Sequence, residues 1–169
     1  MRKGAVQRAV MTAVFAALIC LTTAFLLHIP VGTAGGYIHL GDAFIYLAAA
    51  FLPTPFAMAA ASIGAGLADI LTGAPHWALF TVVIKAAMAA CFTSKSTKIL
   101  CVRNTVAAAA AGVVGMVGYY FAEVLLFGNW ITPLWSTLTG GTVQAVGGAV
   151  LFWVSGAALD RANVKSRLK

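Results

Sequence analysis

Apolar residues run through this chain in long blocks, broken by short clusters of Gly, Pro, Asn and charged residues. Blocks near 20 residues match the thickness of a bilayer's hydrocarbon core, so the pattern predicts transmembrane helices. The first span is expected from about Ala5 to Leu27, followed by the Gly/Pro-rich loop His28 to Gly36. A second runs from Tyr37 to Leu52, short for a span at ~24 Å, and ends at a tight turn bracketed by Pro53 and Pro55. A third covers Phe56 to Leu71 and stops at Gly73; a fourth covers Trp77 to Phe92. The fifth begins near Thr105 and ends at Phe127, a loop takes Gly128 to Pro133, and the sixth runs from Trp135 to Leu159. The expected fold is an all-α membrane protein of about six transmembrane helices, residues 1–169 forming a single integral membrane domain.

Composition sharpens this picture. Of 169 residues, 62% are hydrophobic and 9% charged, with mean hydropathy +0.95, which leaves too little polar surface for a soluble domain. A net charge of +7 can signal nucleic acid, but placement assigns it to topology instead. Ten of the eleven basic residues fall in three clusters: Arg2, Lys3 and Arg8; Lys95, Lys98 and Arg103; Arg161, Lys165, Arg167 and Lys169. By the positive-inside rule both termini and the loop between spans four and five are cytoplasmic. Anionic headgroups are the partner of that charge, with an acidic protein face second and no nucleic acid. The apolar stretch Ala9 to Leu27 exceeds a signal-peptide core and is read as a retained span. The odd set Cys20, Cys91 and Cys101 has neither disulfide nor metal-ligand spacing.

Ionisable residues at membrane depth are expensive and are functional candidates. Asp42, Asp69, Lys85 and Glu123 all fall in the outer halves of spans, while Asp160 is cytoplasmic. A structural salt bridge is the alternative reading, with Asp69 the partner expected for Lys85. Polar and aromatic residues gather toward the same face: Tyr37, His39, His76, Trp77, Tyr119, Tyr120, Asn129, Trp130 and Trp135, with Gln144 deeper in span six. Each Trp alone reads as an interfacial anchor. Together, rings with a few hydrogen-bonding groups are the composition of a small-molecule pocket. At the opposite end, Ala5, Ala9, Ala13 and Ala17 recur every four residues along one face of span one. Such a face admits a second helix closely, either one of this chain or one of a partner. Neither a phosphate-binding loop nor a common hydrolase signature is present, so the chain is read as neither an ATPase nor an enzyme, without cofactor or metal.

The segments Gly36-Tyr37-Ile38-His39-Leu40-Gly41-Asp42-Ala43, Gly64-Ala65-Gly66-Leu67-Ala68-Asp69-Ile70-Leu71-Thr72-Gly73 and Thr81-Val82-Val83-Ile84-Lys85, with the alanine stripe, resemble the substrate-binding S components of energy-coupling factor (ECF) transporters. The resemblance implies six helices, capture of a vitamin or vitamin precursor, and docking on a coupling membrane protein with two ATPase subunits in a prokaryotic plasma membrane. It assigns partner contact to Ala9 and Ala13, extended by Ala17. The metal-ion branch of that family uses a histidine near the N-terminus, and His28 lies far from it. Subfamilies with a similar Leu-Gly-Asp segment are associated with hydroxymethylpyrimidine, pyridoxine, riboflavin and related cyclic compounds.

On this reading Tyr37, Trp77, Tyr119, Trp130 and Trp135 wall a vitamin-like ring. Lys85, Glu123, Asn129 and Gln144, with His39, serve its polar groups, and Asp42 and Asp69 support the pocket. A stand-alone proton-coupled transporter titrating Glu123 or Asp69 is the main alternative. An intramembrane enzyme acting on a lipid intermediate is a third.

Overall fold

The structure, a computed structural model, describes residues 2–26, 29–31 and 36–167. The elements in order are α1 (Arg2–Ala24), β1 (Ile29–Val31), β2 (Gly36–Ile38), α2 (Gly41–Phe51), α3 (Thr54–Leu71), α4 (Pro75–Ala90) and α5 (Val102–Phe127). Then follow α6 (Thr132–Ser136), a π-helical turn (Thr137–Gly141), α7 (Thr142–Arg161) and α8 (Val164–Arg167). Among the described residues, four helical stretches are long and apolar enough to cross a membrane: Gly4–Ala24, Thr54–Leu71, Val102–Phe127 and Thr132–Arg161. Two more, Gly41–Phe51 and Pro75–Ala90, are apolar but shorter. Proline begins three of the helices at the first or second position, where its missing N–H is not needed. Glycine ends two: Gly73 and Gly128 adopt the left-handed region, φ +81° and +66°, and Gly128 N–H closes α5 on the Val124 carbonyl at 2.8 Å.

The second span departs from expectation. Its first residues are not helical: Gly36–Ile38 pairs antiparallel with Ile29–Val31, Ile29 opposite Ile38. Ile29, Val31, Tyr37 and Ile38 favour strand, whereas the Gly35-Gly36 pair disfavours helix. The helix starts only at Gly41, whose N–H is accepted by His39 Nδ1 at 3.0 Å. Eleven residues span only ~16 Å, about half the ~30 Å hydrocarbon core. The N-terminus of α2 is therefore set deep in the bundle.

That short helix is also the most enclosed. Nine of its residues are buried, Asp42 and Tyr46 among them, and α1, α3, α4 and α7 all pack on it. A helix apolar on every side belongs in an interior. Tyr46 stacks on Phe92 with ring centroids 4.9 Å apart, and Phe152 meets it edge-on at 5.9 Å.

Small residues let the helices close up. A Cβ at Gly64 of α3 would stand 2.5 Å from the Ala16 carbonyl oxygen and 2.8 Å from Ile19 Cβ of α1. Gly64→Ala is therefore expected to cost about 1–3 kcal/mol, the usual penalty of overpacking, measured as thermal unfolding in detergent. Gly147→Ala is the control, because its Cβ meets open space and alanine improves helix propensity.

At the end that carries the basic clusters, the segment between α4 and α5 is fastened by two polar side chains, Asp160 and Asn104. Asp160 accepts the N–H groups of Ile99 (2.8 Å) and Leu100 (2.9 Å). Asn104, fully buried, accepts Thr93 N–H at 2.8 Å and donates to the carbonyls of Thr93 and Ile99. These bonds give irregular backbone the partners that water would otherwise supply.

Candidate functional site

The deep start of α2 decides the electrostatics of the opposite end. Asp42, in its first turn, forms an ion pair with Lys85 of α4, Nζ to Oδ1 2.5 Å, each side chain only 2% exposed. Lys85 Nζ also lies 5.1 Å from the Tyr119 ring centroid, a cation–π distance. Gln144 Nε2 donates to Asp42 Oδ2 at 3.0 Å, and Gln144 Oε1 accepts the His39 backbone N–H at 2.8 Å. Charges removed from water persist only when paired and hydrogen-bonded, and this cluster meets that condition.

The partner of Lys85 is Asp42, not the expected Asp69. Depth explains the difference. Asp69 sits two residues from the end of α3 and Lys85 ten from the start of α4, so their backbones differ by roughly 12 Å along the helix axes. The hairpin consumes the outer depth ahead of α2 and lowers Asp42 toward the level of Lys85. Asp69 itself is buried.

Above the pair, toward the helix ends, two stripes face each other. Trp77, Thr81 and Lys85 recur at four-residue spacing on α4, and Tyr119 and Glu123 do so on α5. Trp77 is 7% exposed, with its ring 6.0 Å from Tyr119 and 6.3 Å from Phe127. The Tyr119 hydroxyl donates to Thr81 Oγ1 at 3.1 Å. Glu123 is 8% exposed, and its Oε2 accepts the Ser136 hydroxyl at 2.6 Å. Indole, phenol, two hydroxyls and a carboxylate are thus brought together by α4, α5 and α6 on the side of the ion pair toward the helix ends.

Other residues singled out from the sequence stand apart. Trp130 and Trp135 are 62% and 65% exposed, the placement of interfacial anchors. Asn129 turns the chain into α6, its Oδ1 accepting the N–H groups of Ile131 (2.8 Å) and Thr132 (3.2 Å). Tyr120 donates its hydroxyl to the Trp130 carbonyl at 3.2 Å. The side chain of Tyr37 and residues 32–35 lie outside the described residues. Thr81 and Ser136 were not anticipated. Thr81 was legible, one turn from both Trp77 and Lys85; nothing in the sequence ties Ser136 to Glu123.

On α1 the residues Ala5, Ala9, Ala13 and Ala17 are all exposed, beside the exposed Val6, Val10 and Val14. Packing within the chain does not consume that stripe.

Comparison with known proteins agrees with this architecture. The chain matches the family described as ECF-type riboflavin transporter, S component, over residues 3–161. It is also 30% identical over 134 residues to a Pyrococcus woesei protein described as an uncharacterized protein in the gap 3' region, covering 76% of this chain and 86% of the relative. A match across nearly the whole length, on a bundle of apolar helices, places this multi-pass membrane protein in the ECF-type riboflavin transporter S component family, the substrate-binding subunits of ECF transporters.

Proposed function

We propose that this protein captures a flat, vitamin-like heterocycle at the outer face of a prokaryotic plasma membrane and passes it inward together with a coupling membrane protein and two ATPase subunits. The end bearing the basic clusters faces the cytoplasm. The observation that carries the reading is the pair of facing stripes, Trp77–Thr81 on α4 and Tyr119–Glu123 on α5, at the end away from those clusters. The rings wall a planar solute. Glu123, with Oε2 already held by Ser136, accepts a ring N–H or hydroxyl of the ligand. The Lys85–Asp42 pair is internally neutral, which leaves the Glu123 carboxylate to meet the donor group of a neutral or zwitterionic compound. His39 and Gln144 close it from the hairpin side, and Asp69 supports the α3 end. Ala9, Ala13 and Ala17 meet the coupling protein.

Riboflavin, named in the family's description, is the first ligand to test, by quenching of its fluorescence on titration with the purified protein. Pyridoxine and hydroxymethylpyrimidine follow by calorimetry. Trp77→Ala and Glu123→Gln are each expected to weaken binding of the active compound tenfold or more, about 1.4 kcal/mol. Unchanged affinity in both variants removes this pocket. Uptake that persists without the ATPase subunits and stops with an uncoupler replaces the scheme with stand-alone proton-coupled transport through the buried Glu123 carboxylate.

A further inference from the structure

The last span carries one irregularity, the π-helical turn Thr137–Gly141 between α6 and α7. It lies between the two side chains by which that span reaches the candidate site. Ser136, immediately before it, bonds Glu123 of α5. Gln144, three residues after it, bonds Asp42 of α2 and the His39 N–H. Both partners lie on the inner side of the bundle, so Ser136 and Gln144 have to share a face.

In an uninterrupted α-helix they drift apart. Each residue advances ~100°, and eight residues leave the two side chains about 80° apart. A π-turn closes its hydrogen bonds one residue later and so absorbs one extra residue, which returns Gln144 to within about 20° of Ser136. Local chemistry favours the wide turn there. Gly140 and Gly141 weaken the α-helical preference, and Thr139 returns its hydroxyl to the Trp135 carbonyl at 2.8 Å, a bond that bends helices.

We propose that the π-turn is a register device, and that Ser136 and Gln144 are positioning residues which it aligns: one aims the Glu123 carboxylate, the other ties the hairpin backbone and Asp42 to the last span. Their importance to binding rests on the reading of this end as the ligand site, but the alignment itself is testable without any ligand.

The test is thiol cross-linking in native membranes, in a parent whose Cys20, Cys91 and Cys101 are replaced by alanine. One reporter pair is Glu123→Cys with Ser136→Cys, the other His39→Cys with Gln144→Cys, each probed with a short bifunctional thiol reagent. Deleting Leu138, which is 53% exposed on the outside of the bundle, turns the segment into regular α-helix while leaving seven steps between the reporters, still within about 20° of alignment. Both cross-links are expected to persist in that variant. Inserting one alanine after Leu138 displaces the two faces again, and one or both cross-links are expected to disappear.

A residue needed only for folding would be as sensitive to deletion as to insertion, so the asymmetry is the signature. Loss of either cross-link in the deletion variant, or retention of both in the insertion variant, overturns the proposal. If the insertion variant does not accumulate in the membrane, the deletion variant decides alone, and its own failure to accumulate counts against the proposal. Cross-links that behave as expected in a protein that binds none of the tested vitamins leave the register device standing and remove the ligand reading.

Discussion

A Lys85→Met variant is expected to lose about 3–5 kcal/mol of stability, the usual result of orphaning one member of a buried ion pair. A Lys85→Met/Asp42→Asn double variant is expected to recover most of that loss. Methionine fills much of the volume of the lysine stem, so the cost is electrostatic. It leaves the Asp42 carboxylate 2% exposed with the Gln144 amide as its remaining side-chain donor. Such a carboxylate is neutralised by taking up a proton or lies at a penalty of several kcal/mol. Asparagine at position 42 removes the charge and still accepts from Gln144. Thermal unfolding of the four proteins of this cycle, in one detergent, measures the coupling directly. A double variant no more stable than Lys85→Met means that the pair does not hold α2 against α4. The consequence reaches the site, because His39 and the hairpin hang from the start of α2 through the Gly41 N–H and from Gln144.

The sequence made the helices legible because lipid imposes one requirement along each span, and block length expresses it. Most helix ends fell within a few residues of expectation, since Pro55, Pro75, Gly73 and Gly128 act locally. The stripes of the site were legible in part for the same reason. Trp77 and Thr81, Thr81 and Lys85, and likewise Tyr119 and Glu123, sit four residues apart, so each neighbouring pair shares a face once the helix is granted.

What stayed hidden were relations between helices in depth. Asp69 lay closer in sequence to Lys85 than Asp42 did, yet the three-residue strands ahead of α2 lower Asp42 to meet the lysine. The same limit separates the tryptophans. Trp77, Trp130 and Trp135 all lie near outer helix ends in the sequence, but only Trp77 is turned inward against Tyr119, because rotation of each helix about its axis is set by packing. The π-turn hid for a related reason. Thr137–Gly141 has a composition that permits a widened turn, but only the partners of Ser136 and Gln144 on α5 and α2 give it a direction.

Ala13→Trp is expected to abolish assembly with the coupling membrane protein while leaving substrate affinity unchanged. In lipid the apolar effect does not bring helices together; close van der Waals contact does, and it needs small side chains on the approaching faces. Ala9, Ala13 and Ala17 offer such a face, exposed and unused by the chain's own core. Tryptophan at its centre holds a partner helix away, whereas the isolated bundle tolerates the ring because lipid accommodates it. The expected loss in co-purification with the coupling protein is at least tenfold, equivalent to about 1.4 kcal/mol. Leu79→Trp serves as control. Leu79 is 74% exposed on α4, so the same ring is added to a lipid-facing surface away from the stripe, and assembly is expected to survive. Assembly retained in Ala13→Trp, or lost equally in both variants, excludes the α1 stripe as the docking face. Ligand titration on each variant separates the two ends of the molecule. A protein that binds substrate normally but no longer assembles has kept its outer site and lost its grip on the motor.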